Sequence, residues 1–334
     1  MNSSQLLESY NGGNRNFEEL TMVSANLIGA DIAGSKFNKT DFTNASLARS
    51  NLSRCSFEYA NLNEAFLYGS DLSFAKFHHA SLIGTDLTKT NLKGAYLDHA
   101  NLQGAKLSGA ILTWVSFYRS NLVGVNLCGA NLNGINLRAA DLSHANLSWS
   151  NLSGARLSGA ILKGTSLNGV RLSGAYLNGL ELEGVDFSGL NLSEVKFRGA
   201  KLVKANLIGT DLSKGDFRRT NLSESILKNA QMRQANFGST HLHKVNMMKS
   251  DLSNADFSQA DLSNANLNLT NLENANLENA NLSGAYLWGA NLSGANLRNC
   301  NLTGASLRDA HINGTIFEGT IFANTTMING EIKN

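Results

Sequence analysis

The side chains in this sequence best suited to hold a metal ion or move a proton are its histidines, among them His78, His79, His99, His241 and His243, with His79 and His99 twenty residues apart. A metal centre needs ligands converging from several directions, and nothing in these spacings supplies that convergence. No metal site, no bound cofactor and no catalytic residue is assigned. Cys55, Cys128 and Cys300 lie far apart, without the short spacings of a zinc site or a disulfide framework. Free thiols in a reducing, cytoplasmic compartment are the expectation.

Two clusters suit partner binding better than chemistry. Between 196 and 249 there are eleven Lys or Arg against three acids, whereas 251 to 331 holds eight acids against two Arg. Within two coils of the repeat described below, Lys196, Arg198, Lys201, Lys204, Lys214, Arg218 and Arg219 form a candidate patch for an acidic protein or a phosphate-bearing partner. The plain alternative is a solvated face interspersed with Asp211 and Asp216. The second cluster is aromatic: Tyr59, Phe66, Tyr68 and Phe74, then Trp114, Tyr118 and Trp149, in a surface otherwise rich in Asn, Ser and Gly. Exposed aromatics make good interface anchors, the alternative being scattered rings that cover ladder neighbours.

The elements carrying these residues follow from one period. From Phe17 to Met327 every fifth residue is Leu, Phe, Met or Ile, 63 positions without a slip. Two residues earlier stands a small residue, as at Ala25, Ala30, Ser35, Thr40 and Cys55, and 26 of the 31 glycines fall two residues after the large one. A helix advancing about 100° per residue would rotate successive large residues by about 140°, so no helical face forms. A chain that turns a corner every five residues does fit, with the large and small side chains inward. Glycine suits the corner because it takes positive φ freely. An Asn or Asp beside it can bond its own backbone or stack on its equivalent in the next coil. The chain contains no proline, consistent with every residue serving as a ladder donor. Ten of the 15 phenylalanines share one class when counted modulo 20. Four pentapeptides therefore make one turn, with phenylalanine rings stacked along one wall, and about 16 coils at the ordinary strand spacing follow.

The units carried by Ala280-Asn281-Leu282-Ser283-Gly284-Ala285 resemble the pentapeptide-repeat family, over about residues 15 to 330. The resemblance implies an all-β fold, a right-handed quadrilateral parallel β-helix solenoid. The opening segment Leu6 to Phe17 also resembles the N-terminal cap of cyanobacterial members. The expected organisation is a capping helix and turn over 1–14, one uninterrupted β-helix over 15–330 and a C-terminal tail over 331–334. Ser3 or Ser4 should cap the helix, Leu6 and Leu7 should lie on the first coil, and Gly12 or Gly13 should end it. Bulky residues in the small register, Leu20, Ile135, Leu180 and Leu190, predict an irregular cross-section between 135 and 190. The apolar C-terminal end, with Ile316, Phe317, Ile321, Phe322 and Ile328, should fold over its own edge or meet a second copy end to end, so both a monomer and a homodimer stay open.

A net charge of +2 argues against wholesale DNA binding and against an acidic surface imitating DNA. No apolar stretch reaches membrane-span length and no signal peptide is apparent. The resemblance implies a non-catalytic interaction scaffold or regulator, since some cyanobacterial members act in developmental or stress signalling through protein partners. The alternative it implies is a DNA-mimicking topoisomerase (gyrase) protection protein, which would show net acidity, projecting loops and a C-terminal dimer helix. A flat repeat offers no pocket of convergent polar groups for an enzyme. An ice-binding array would need exposed threonines, whereas Thr40, Thr85, Thr90 and Thr165 occupy the inward register.

Overall fold

The computed structural model describes residues 1–334. A helix α1, Ser3–Asn11, opens the chain. Its N-cap is Asn2, where the sequence suggested Ser3 or Ser4. The Asn2 side chain accepts the Gln5 N–H at 2.9 Å while the Gln5 side chain accepts the Asn2 N–H at 2.9 Å. This reciprocal pair satisfies two otherwise orphaned donors, which a serine inside the helix cannot do. Leu6 is buried, Leu7 only partly so. The Tyr10 hydroxyl donates to the Ala33 carbonyl, and Arg15 lies over the Tyr10 ring at 3.7 Å.

After the helix, residues pair in parallel with the residue twenty positions on. The pairing residue is the one just before each large apolar side chain, so four rows of bridges recur in every twenty residues. Row 1 begins at Asn16↔Lys36, row 2 at Thr21↔Asp41, row 3 at Asn26↔Ser46 and row 4 at Asp31↔Asn51. Between rows the chain turns, and the turn residue, two after the large one, takes positive φ. Glycine is not obligatory there: thirty-six non-glycine residues share this conformation, among them Tyr59, His79 and His99 at φ 58° to 60°. The strain of the left-handed region, about 1–2 kcal/mol per residue, is borne at each because the surrounding bridges leave the backbone no alternative.

The chain divides into two compact units, Met1–Arg171 and Leu172–Asn334. Bridges of unit 1 run from Asn16↔Lys36 to Asn151↔Arg171. Those of unit 2 run from Tyr176↔Lys196 to Ser306↔Thr326. In the last turn of unit 1, Leu162, Thr165 and Leu167 are only half-buried. In the first turn of unit 2, Leu180 and Leu190 fill positions mostly held elsewhere by smaller residues, and Leu190 is half-exposed. These turns lie where the bulky residues predicted irregularity.

The interior of each unit is the predicted pair of inward registers. Phe17, Phe37, Phe57 and Phe77 stack in unit 1 with centroids 5.0 to 5.6 Å apart. In unit 2, Phe217, Phe237 and Phe257 stack at 4.7 and 4.8 Å. The small register explains its own composition. Thr40 donates its hydroxyl to the Phe17 carbonyl at 2.8 Å, Thr85 to Leu62 at 2.8 Å, and the Cys55 thiol lies 3.2 Å from the Ile32 carbonyl. Where Thr, Ser or Cys replaces Ala it brings a donor to a nearby carbonyl, 23 residues back as at Thr220 and Thr240 or three residues back as at Thr90 and Ser150; Ser35 is buried without a partner.

The C-terminal segment is not a free tail. Strand β1, Thr325–Thr326, pairs antiparallel with β2, Ile332–Lys333, and Lys333 lies over the Phe322 ring at 3.8 Å. The Met327 N–H donates to Glu331, so the last residues fold back on the final turn. Ile316, Ile321 and Ile332 stay exposed.

Candidate partner-binding surfaces

Outward side chains sit on either side of each inward large residue and at the following corner. Residues twenty apart therefore form columns, and neighbouring pentapeptides belong to different rows. On this frame the basic cluster separates. Lys196, Arg198, Arg218 and Arg219 belong to row 1 of unit 2 and its corner, Lys201 to row 2, Lys204 to the far corner of row 2, and Lys214 to the corner after row 4. Acids neutralise part of what remains. Arg218 grips Asp216 through Nε to Oδ1 at 2.8 Å and Nη2 to Oδ2 at 2.6 Å, and Lys201 pairs with Glu181 at 2.8 Å. The Arg218 side-chain hydrogen bonds hold the Asp216 carboxyl below its ordinary range.

The aromatic cluster disperses further. Phe66 and Tyr68 share row 3, with rings 6.1 Å apart. Phe74 and Trp114 occupy the corner after row 4, Trp149 the corner after row 3, Tyr59 the corner after row 1, and Tyr118 row 1 itself. Closeness in sequence misleads here because five residues carry the chain to the next row. Several rings cover ladder neighbours: Trp149 lies over Gly169, and Phe74 over Gly94. Cations attend others, Lys89 lying 5.7 Å from the Tyr68 ring centre and Lys93 5.1 Å from that of Trp114.

Row 1 of unit 1 gathers what the linear clusters missed. Tyr59, His79 and His99 stack in one corner column, at 5.0 Å and 6° and then 4.9 Å and 18°. The edge of Tyr118 closes on His99 at 5.8 Å, and Tyr118 is flanked by Arg119 at 5.2 Å and Arg138 at 5.6 Å. His78 and Tyr96 stack beside them at 6.1 Å. Writing the sequence in lines of twenty reveals this column at once. Lower in row 1, a recess of about 270 Å³ is lined by Glu18, Glu19, Asn38, Lys39, Glu58 and Tyr59. Its polar groups turn onto one another: Asn38 donates to Glu18 at 2.7 Å, and Lys39 to Glu19 at 2.9 Å. The Lys39 hydrogen bond lowers the Glu19 carboxyl, and the Glu19 bond raises the Lys39 ammonium.

The outward polar residues complete the picture. Asp256 accepts from Asn276 at 3.1 Å, which accepts from Asn296 at 3.2 Å; Asp261, Asn281 and Asn301 repeat the arrangement at 3.1 and 3.4 Å. Asn26 and Asp71 also accept the N–H two residues on, at 3.2 and 2.9 Å. Both expected uses of the Asn or Asp position, the local turn and the ladder, therefore occur.

Models of pentapeptide repeats match the chain over 25–113, 120–189 and 191–324. The chain belongs to the pentapeptide-repeat family. Members fold as right-handed β-helices, which gives the hand of the bridged turns. Among solved structures, HetL, a pentapeptide-repeat protein involved in heterocyst differentiation regulation in the cyanobacterium Nostoc sp. strain PCC 7120, is 23% identical and covers 100% of both chains at a TM-score of 0.22. Rfr23 from the cyanobacterium Cyanothece 51142 is 26% identical, covering 50% of this chain and 100% of its own, at 0.24. QnrB1, a plasmid-mediated fluoroquinolone resistance protein, is 24% identical, covering 54% of this chain and 88% of its own, at 0.29. No curated protein gives a significant match.

Proposed function

We propose that this pentapeptide-repeat protein is a non-catalytic scaffold or regulator, a cytoplasmic four-sided β-helix of about 16 turns that presents flat faces to a protein partner. The observation that carries this reading is the fixed display of outward side chains. Tyr96, exposed, is bridged on one side to Lys76 and on the other to Ser116, so its backbone is held before any partner arrives. Such preorganisation lowers the ordering cost of association. Flat walls with columns of exposed rings and cations suit an extended contact with another macromolecule better than enclosure of a small molecule. The cations along row 1 of unit 1 weigh against the alternative, a gyrase-protecting mimic of DNA, which needs acidic faces.

Capture of partners from lysate by the tagged chain, followed by reconstitution with the purified partner, tests the proposal. A complex of fixed stoichiometry, weakened by charge reversal on one row and unaffected by reversal on another, supports it. Failure to reconstitute any captured protein, or a complex indifferent to reversal on every row, overturns it.

A further inference from the structure

Lys76, Arg119, Arg138 and Arg156 stand on row 1 of unit 1, all exposed, and none makes an ion pair. The pairing series Lys76↔Tyr96, Tyr96↔Ser116, Ser116↔Asn136 and Asn136↔Arg156 places them within four successive steps of one row, about 19 Å at the ordinary strand spacing. One carboxylate, Asp98, shares this stretch. Its Oδ1 is occupied by the Ser116 hydroxyl and by the Tyr118 N–H at 3.1 Å. In the basic stretch picked out by linear counting, Arg218 and Lys201 are paired with Asp216 and Glu181, while Lys196, Arg198, Lys204, Lys214 and Arg219 make no ion pair. What row 1 of unit 1 adds to its unpaired cations is the stacked column of Tyr59, His79 and His99 beside them.

We infer that row 1 of unit 1, from Lys76 to Arg156, binds an extended acidic peptide segment of a partner protein. The inference rests on the reading of the protein as an interaction scaffold and names the chemistry of one partner. Charge complementarity selects an acidic ligand. Ring geometry selects peptide over single-stranded nucleic acid, which needs free aromatic faces for its bases. Both faces of His79 are taken by Tyr59 and His99, and Tyr118 is flanked by two guanidinium groups.

The surroundings favour an anion. Around His79 and His99 stand His78, Lys76, Asp98, Tyr96, Tyr118 and Arg119 on row 1, and Glu58 and Tyr59 one turn below. The adjoining row 2 offers Ser81, Ile83, Asn101 and Gln103, all uncharged.

The test is fluorescence anisotropy of a labelled oligoglutamate titrated with the full chain in low salt at neutral pH. R119E/R138E should bind at least about tenfold more weakly than wild type, R119Q/R138Q should be intermediate, and R198E/R218E should match wild type. Circular dichroism and the thermal midpoint check that each variant is folded. Undiminished binding by R119E/R138E or loss in R198E/R218E overturns the inference. So does equal binding of a single-stranded oligothymidylate, which would mark a general polyanion site. A reconstituted partner that still binds R119E/R138E refutes this surface while leaving the scaffold reading intact.

Discussion

The indole of Trp149 lies over the α-carbon of Gly169, in the space where a β-carbon would stand. The same relation joins Phe74 to Gly94 and His144 to Gly164. A corner side chain leans toward the next turn, and glycine at the following corner receives it.

Gly169→Ala should therefore destabilise unit 1 twice over, through its φ of +62° and by displacing the indole. A loss of about 1–2 kcal/mol in urea unfolding is expected, and part of it should return in Trp149→Ala/Gly169→Ala, since the exposed ring then no longer competes for the space. A double variant as unstable as the single one would assign the whole effect to the backbone.

Phe237 lies between Phe217 and Phe257 at 4.7 and 4.8 Å. Truncating it to alanine should cost about 3–5 kcal/mol. Because each turn contacts mainly its neighbours, the damage should first be local. Hydrogen exchange should lose protection from about 217 to 257 before it changes near Asn16. Uniform loss through both units would mean a single cooperative block.

In the Asp256, Asn276 and Asn296 ladder the amides donate toward the carboxylate. Asp256→Asn keeps an acceptor and should be nearly neutral. Asn276→Leu removes both a donor and an acceptor, and should lower stability by about 1 kcal/mol. Equal effects from the two substitutions would show that charge, and not hydrogen bonding, holds the ladder.

The Arg218 side-chain hydrogen bonds depress the Asp216 carboxyl. A carboxyl depressed in the folded state stabilises it above its unfolded pKa, about 3.9, and that contribution disappears as the pH falls through the folded value. The thermal-midpoint advantage of wild type over Arg218→Ala should hold at about pH 6 and shrink below about pH 4. An advantage independent of pH would assign it to packing of the arginine stem.

Burial pushes the thiols of Cys55 and Cys300 up to about 12, while Cys128 is half-exposed. Iodoacetamide at neutral pH should label Cys128 in the native protein and reach the other two only under denaturant. Rapid native labelling of Cys55 would place its turn open in solution.

Much of this architecture is legible in the chain itself. The five-residue period, the twenty-residue pairing and the phenylalanine stack all follow from where Phe37, Phe57 and Phe77 stand. Local competition is harder to read: Asn2 displaces Ser3 as the cap because only its side chain reaches the Gln5 N–H. The division after Arg171 is foreshadowed by Leu180 and Leu190, yet size alone cannot say whether a turn widens or loses its pairing. Surface chemistry was the least legible. Lys204 and Lys214 look adjacent in sequence but belong to different corners, whereas Arg119 and Arg138 look distant and flank one tyrosine.

Pairing between residues twenty apart gives insertions and deletions two distinct grammars. Within a unit, adding or removing twenty residues changes the number of bridged turns and leaves the downstream side chains of that unit in their own columns. Adding or removing five keeps the hydrophobic register inward but moves those residues to the neighbouring row. Duplication by twenty residues would lengthen a recognition surface, and slippage by five would reassign it to another row without disturbing the core.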